Sequence, residues 1–207
     1  MGVPPDEVWE RSDGGPPGRS LGDVRPPGHT GGMDIVIREA RPEEWDEAGR
    51  LTADAYLHGG LLDSGADDPY LPDLRDAAGR AALATVLVAV DADGVVLGTV
   101  TFTGGGGELA EVAREGEAEF RMLAVRPEAR GRGAGEALVR ECVARARRLG
   151  KGGVAISSQS RMHTAHRLYG RLGFVRAPER DWEPVPGLRL QVFALAFSPD
   201  PLAEHNI

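Results

Sequence analysis

A short run of glycine and arginine is the part of this chain best suited to chemistry. Residues 130–135 read Arg-Gly-Arg-Gly-Ala-Gly and join an alternating, mostly apolar segment, which begins at Glu119, to a segment with helical periodicity. Glycines at a strand-to-helix turn let backbone N–H groups converge without obstruction by Cβ atoms, and the helix dipole adds partial positive charge there. Turns of this kind bind anions, most often phosphate. We therefore predict an anion-binding loop in which Arg130 and Arg132 add positive charge.

Two common phosphate-binding motifs do not fit this loop. The dinucleotide fingerprint G-x-G-x-x-G needs a third glycine, and Glu136 or Leu138 occupies that place, depending on where the motif begins. A P-loop needs Gly-Lys followed by Ser or Thr, which the sequence lacks. The remaining pattern is Arg-x-x-Gly-x-Gly, formed by Arg130, Gly133 and Gly135. By itself, this pattern fits a cofactor phosphate loop and a simple helix-capping turn equally well.

A second motif lies about 30 residues downstream, beyond another predicted strand. It begins at Ala165 and contains Leu168-Tyr169 and Gly173-Phe174 in the pattern A-x-x-L-Y-x-x-x-G-F. The two motifs, in this order and at this spacing, resemble the signatures of the GNAT superfamily of N-acetyltransferases. In that family Arg-x-x-Gly-x-Gly is the loop that binds the pyrophosphate of acetyl-CoA. The resemblance covers roughly residues 35–197 and favours the cofactor loop over the simple helix cap.

The order of the predicted elements indicates a mixed sheet. Alternating apolar residues predict strands at 34–39, 85–90, 95–103, 119–125, 154–157 and 188–197. Apolar residues at helical spacing predict helices that start at Pro42, near Asp73, after the glycine loop and at Met162. Hairpins precede the loop and strand–helix crossovers follow it, which gives an α/β fold with a mixed sheet. The resemblance implies the GNAT-type acyl-CoA N-acyltransferase fold in a single domain, residues 33–198.

Composition limits the partners and the compartment. A net charge of −8 argues against nucleic acid or an anionic membrane as the principal partner, because both need a basic face. The single cysteine, Cys142, excludes an internal disulfide framework and fits the cytoplasm, and we expect it to be a buried, inert thiol. No apolar run approaches transmembrane length. Residues 1–32, with 8 Gly and 6 Pro, predict a disordered N-terminal extension, and residues 199–207 a C-terminal tail.

Acetyl transfer from a thioester to an amine needs a base for the amine and an acid for the leaving thiolate. The resemblance implies that Tyr169 is the acid, since the matching tyrosine is the usual proton donor in the family. It also implies that Glu119 is the base, acting through a water as in some histone-acetylating members. The alternatives are a core aromatic residue on an apolar helix face for Tyr169 and an exposed carboxylate at a strand end for Glu119.

The resemblance also implies how the co-substrate, acetyl-CoA, is bound. The residues that it assigns to the cofactor are Leu123, Ala124, Val125, Arg130, Gly131, Arg132, Gly133, Ala134 and Gly135. The strand end pairs by its backbone with the pantetheine arm, and the loop holds the pyrophosphate. One departure from the family is Met162, which stands where many members carry asparagine. We expect its contacts on the pantetheine side to be taken over by Ser157, Ser158 or Gln159.

The segment after the first helix, residues 61–70, helps to form the acceptor site in this family. Here it carries Asp67, Asp68 and Tyr70, together with Asp63, a set that favours a cation through Coulomb attraction and cation–π contact. We therefore expect a small or peptidic amine with net positive charge, although aspartates are also common in solvated turns. The five histidines lack metal-ligand spacing, so we expect no metal.

Two other functional classes fit the same motifs. A non-catalytic sensor of acyl-CoA and an interaction module would both keep the fold, but either would be signalled by loss of the glycines or of Tyr169. All of these residues are present, which favours an enzyme. A homodimer is left open as a further partner.

Overall fold

A seven-stranded sheet organises residues 35–198, which are the residues described by this computed structural model. Its strands are β1 (Val36–Glu39), β2 (Thr85–Val90), β3 (Val96–Thr103), β4 (Glu117–Val125), β5 (Gly153–Gln159), β6 (Val175–Arg176) and β7 (Leu190–Ala196). The order across the sheet is β1-β2-β3-β4-β5-β7-β6, and only β4 and β5 are parallel. The predicted mixed sheet is confirmed. The predictions for residues 1–32 and 199–207 lie outside the described residues.

Five α-helices cover the two faces of the sheet in this part of the chain. They are α1 (Trp45–His58), α2 (Leu71–Arg75), α3 (Ala77–Leu83), α4 (Ala134–Arg148) and α5 (His163–Arg171). The sequence predicts one short helix from about Asp73 to Leu83, but the structure divides it at Asp76. The Asp76 carboxylate accepts a hydrogen bond from Gly79 N at 2.7 Å and therefore caps the start of α3. None of the described helices is both long and apolar enough to cross a membrane.

The apolar core lies on both faces of the sheet. On one face α4 and α5 pack against the strands through residues such as Phe120, Leu138 and Tyr169. On the other face α1 and α3 pack against β2 and β3. Cys142 belongs to the first group and is fully buried, and burial raises the pKa of its thiol. The prediction that Cys142 is buried is confirmed, and its inertness, which matters for assays that detect free CoA thiol, stays a prediction.

The ladder between β4 and β5 is short. It joins Glu117–Glu119 to Gly153–Ala155 and ends there, although both strands continue. Just beyond this point β4 bulges against β3, because Thr99 pairs with Ala124 whereas Thr101 pairs with Arg121. The bulge contains Met122, whose φ of 55° lies in the left-handed region. A bulge bends its strand, so β4 and β5 separate into a gap.

Candidate functional site

The glycine loop has the geometry of an anion site. Gly131 and Gly133 have φ values of 74° and 91°, which L side chains rarely adopt, and beyond the adjacent residues no atom lies within 4 Å of a Cβ built on either. No hydrogen bond among the described residues engages their N–H groups. The N–H groups of Ala134 and Gly135 belong to the first turn of α4, where no intrahelical acceptor exists. Four N–H groups are therefore available to a phosphate, at the positive end of the helix dipole.

The two arginines of the loop contribute differently from the glycines. The backbone N–H of Arg130 already donates to Pro127 O at 3.2 Å, and that of Arg132 donates to Ala129 O at 3.3 Å. Only their side chains are therefore suited to an anion. Gly135 has a packing role as well, because its Cβ position is 3.3 Å from Val125 Cγ2. The first turn of α4 thus lies directly against the end of β4.

Two cavities lie along the end of β4. The smaller one, of about 260 Å³, lies between α1 and the connection from β4 to the glycine loop, and both Val125 and Arg130 line it. The larger one, of about 390 Å³, borders the gap between β4 and β5, and Leu123 and Tyr169 line it. The predicted cofactor residues of β4 therefore lie between the glycine loop and the predicted acid.

The backbone of β4 presents donors to the gap. Arg126 N donates to Leu97 O at 2.8 Å, so this N–H points toward β3. Successive N–H groups of a strand point to opposite edges. The N–H of Val125 therefore points away from β3, toward the side from which β5 has separated.

Tyr169 is buried on α5, with only 1% of its surface exposed. Its ring packs against Phe120, Phe174 and Phe193 at centroid distances of 5.9, 5.9 and 5.7 Å. Its hydroxyl makes no hydrogen bond to the described residues, and burial raises its pKa. Tyr169 is therefore a core aromatic residue that also lines the larger cavity, and its role as the acid stays a prediction.

Glu119 lies under the loop that precedes β4 and does not line either cavity. Its Oε2 accepts hydrogen bonds from the backbone N–H groups of Glu111, Val112 and Ala113 at 2.8 to 2.9 Å. Its Oε1 is buried and has no partner among the described residues. Burial raises the pKa of this carboxyl, against the opposing effect of the three N–H groups. The exposed strand-end alternative is therefore wrong, and the role as a base stays a prediction.

The predicted acceptor residues are only partly brought together. Asp63, Asp68 and Tyr70 line the larger cavity, whereas Asp67 does not. The Asp63 carboxylate pairs with Arg161 at 2.9 Å. Asp68 accepts from the backbone N–H groups of Ser64 and Tyr70 at 3.3 and 3.0 Å. Both carboxylates thus already have partners, and Asp68 is also a structural turn residue.

Of the three proposed substitutes for the missing asparagine, two are engaged within the protein. The Ser158 hydroxyl donates to Met162 Sδ at 3.3 Å and contacts His166 Nε2 at 3.1 Å. The Gln159 amide donates to Leu61 O at 2.8 Å. Met162 therefore takes part in the polar contacts of β5, through its sulfur.

Sequence reasoning missed Arg121 and Glu111, which both line the larger cavity. They form an ion pair at 2.9 Å, and Arg121 Nη2 also donates to the Tyr70 hydroxyl at 3.3 Å. A signal was present, because Arg121 interrupts the apolar run of β4. Glu111 lacked such a signal, since it stands in a stretch with several other glutamates.

Comparison with known proteins identifies the fold and the family. Residues 45–174 match the family model described as "Acetyltransferase (GNAT) family". A GNAT family acetyltransferase from Brucella melitensis, solved with acetyl-CoA, is 26% identical with a TM-score of 0.53, and the match covers 81% of this chain and 91% of that one. A GCN5-related N-acetyltransferase from Kribbella flavida is 25% identical with a TM-score of 0.57, covering 79% of this chain and 98% of that one.

The fold is shared more widely. The PaiA N-acetyltransferase from Thermoplasma acidophilum, solved with CoA, is 14% identical with a TM-score of 0.62, and the match covers 80% of this chain and all of that one. A comparison with curated protein sequences finds no significant match. The family model spans well over half of the 207 residues. The chain therefore belongs to the GNAT family of acetyltransferases.

Proposed function

We propose that this protein transfers the acetyl group of acetyl-CoA to a primary amine by direct attack of the amine, with Tyr169 as the general acid. The observation that carries the proposal is the Tyr169 hydroxyl, which is unpartnered among the described residues and lies in the wall of the cavity that borders the gap. An acceptor screen that follows acetyl-CoA-dependent release of free thiol tests the function. Transfer to no amine, with the cofactor bound, would contradict it.

The path for the co-substrate follows the two cavities. The four available N–H groups hold the pyrophosphate, because they converge at the start of α4; they belong to Gly131, Gly133, Ala134 and Gly135. The edge of β4 from Leu123 to Val125 holds the pantetheine arm, and the N–H of Val125 donates to the thioester carbonyl. Acetyl-CoA supplies an activated acyl group and a thiolate leaving group. The complexes of related proteins with CoA and acetyl-CoA support this assignment.

Tyr169 acts chiefly as a hydrogen-bond donor to the leaving sulfur. Its raised pKa keeps the hydroxyl protonated across the neutral range, whereas an ordinary thiol has a pKa of about 8.5. A phenol in this state is a weaker acid than the thiol, so its hydrogen bond to the developing thiolate, and not its full ionisation, lowers the barrier. The proton that the amine loses ends on the CoA sulfur, so the products are the acetylated amine and the free CoA thiol, and Tyr169 remains protonated.

The first prediction concerns the glycine loop. Gly133→Asp places a carboxylate against the pyrophosphate and should weaken CoA binding by about 100-fold or more, or about 2.7 kcal/mol. Isothermal calorimetry measures this affinity. Gly94→Asp is the matched control, because Gly94 has a similar φ of 82° and equally open surroundings in the β2–β3 hairpin. Equal CoA affinity in the two folded variants would overturn the loop assignment.

The second prediction concerns the acid. Tyr169→Phe keeps the aromatic packing and removes a hydroxyl that has no partner among the described residues. We expect kcat to fall roughly ten- to a thousandfold with an unchanged Kd for CoA and no loss in Tm. Steady-state kinetics and thermal unfolding measure the three quantities. If kcat falls in Tyr56→Phe and holds in Tyr169→Phe, the donor is Tyr56, which lines the same cavity.

The third prediction concerns Glu119 as the base. Because its pKa is raised, the carboxyl gains a proton at a higher pH than an ordinary glutamate, so kcat/KM should fall as the pH drops through that value. Glu119→Gln should abolish this acidic limb and lower kcat by about 100-fold or more. Glutamine can keep a carbonyl oxygen at the three N–H groups and place its amide at the unpartnered Oε1 site.

Glu117→Gln is the control for this variant. Glu117 lies on the same strand, pairs with Arg180 at 2.6 Å and lines neither cavity. An acidic limb that survives in Glu119→Gln, or disappears in both variants, would rule Glu119 out as the base.

A further inference from the structure

The larger cavity contains a guanidinium that acetyl transfer, as described above, does not use. Arg121 Nη1 pairs with Glu111 at 2.9 Å and donates to Leu109 O at 3.1 Å. Its Nη2 has one acceptor, the Tyr70 hydroxyl at 3.3 Å, for its two hydrogens. Its Nε is buried without a hydrogen-bond partner among the described residues. The side chain is only 14% exposed, so its remaining donors have little access to bulk water.

The unused donors lie together on the guanidinium. Nε–H and one N–H of a terminal nitrogen form one edge of the planar group, and this edge matches the two oxygens of a carboxylate. A buried donor without a partner destabilises the folded protein, and a hydrogen bond to an incoming oxyanion would remove that cost. Lysine has no such edge, so the arrangement is specific to arginine.

A second buried cation lies near the same tyrosine. Arg80 is 4% exposed and donates only to neutral oxygens, those of Thr101, Asp73 and Leu74, among the described residues. Its Nη2 is also buried and unpartnered. Arg80 does not line the cavity, but its charge acts on Tyr70 as that of Arg121 does.

The carboxylates around this group are already engaged. Glu111 pairs with Arg121, and Glu119 is held by three backbone N–H groups. Asp76 caps α3, and Asp63 and Asp68 have the partners given above. The cavity thus offers a partly unsatisfied cation and few unengaged anions, which differs from the acidic acceptor surface expected from the sequence.

We propose that Arg121, with the Tyr70 hydroxyl, binds a carboxylate of the acceptor, so that the acceptor is an amine that also carries a carboxylate. The proposal rests on the proposed transferase function. The carboxylate lies on the Nε–Nη2 edge of Arg121, and the amine lies toward the gap where β4 and β5 separate. The acceptor is then dipolar at neutral pH, and the net positive amine expected from the sequence becomes the competing outcome.

Matched amines test the proposal without knowledge of the natural acceptor. The pairs are L-leucine with isoamylamine, L-phenylalanine with phenethylamine, and L-lysine with cadaverine, which differ by the carboxylate. In the wild type, kcat/KM for free thiol release should favour the carboxylate-bearing members by about 100-fold or more. Comparison of this ratio between the wild type and Arg121→Gln cancels differences in amine basicity. We expect the ratio to fall to near one in the variant, chiefly because KM rises for the carboxylate-bearing amines.

Three variants separate charge, geometry and fold. Arg121→Lys keeps the charge and loses the fork, so it should recover only part of the ratio. Glu111→Gln removes the carboxylate that competes for Arg121, so KM for carboxylate-bearing amines should hold or fall. Arg140→Gln, on the exposed face of α4, should match the wild type. Thermal unfolding and an unchanged Kd for CoA establish that each variant is folded.

Calorimetry on the CoA-loaded protein separates this proposal from the proposed function. Carboxylate-dependent binding that needs Arg121, without turnover of any amine, would support the subsite and contradict the transferase function. Two outcomes would overturn the subsite and support a cationic acceptor. One is turnover without preference for the carboxylate. The other is a rise in KM for cadaverine in Glu111→Gln with no effect of Arg121→Gln. The subsite proposal would also be overturned if no carboxylate-bearing amine bound to the protein or was acetylated by it.

Discussion

The site depends on one departure from regular sheet pairing, the separation of β4 from β5 after Glu119. In a continuous sheet the polar groups of both strands would be consumed by the ladder. Here the bulge at Met122, with its left-handed φ, stands where the pairing ends. Such a backbone costs about 1 to 3 kcal/mol and persists only where the surroundings enforce it. The result is a strand edge inside the sheet, covered by helices, whose polar groups can bind a ligand.

The loop before β4 is fixed by the same strand. The buried Glu119 carboxylate accepts N–H groups from residues 111–113, and Arg121 donates to Leu109 O. Hydrogen bonds to charged groups contribute about 1.5 to 3 kcal/mol each, so these contacts hold the loop firmly. Because Glu111 is part of that loop, Glu119 also positions the ion pair of the acceptor cavity. Glu119, the loop before β4 and this wall of the larger cavity are therefore one connected polar structure.

The sequence predicts the mixed sheet and the position of the glycine loop, because alternation, helical spacing and glycine turns are local signals. It does not predict the break at Asp76, where a single side-chain cap outweighs helical periodicity. Helical periodicity correctly gives the core position of Tyr169, which is the alternative to its role as the acid, and the structure adds that the side chain lines the larger cavity. The ion pair of Arg121 with Glu111 and the burial of Glu119 arise where the loop before β4 folds back on that strand. Residue periodicity does not predict the conformation of this loop, although Arg121 interrupts the apolar run of β4.

Amide hydrogen exchange tests the central claim, that the gap and the glycine loop form one binding surface for CoA. The co-substrate would engage the N–H of Val125, at the end of β4, and those of Gly131, Gly133, Ala134 and Gly135 in the glycine loop. Addition of saturating CoA should slow exchange in both segments together and leave β2, at Thr85–Val90, unchanged. Slowed exchange elsewhere, with neither segment protected while calorimetry shows CoA bound, would contradict the account.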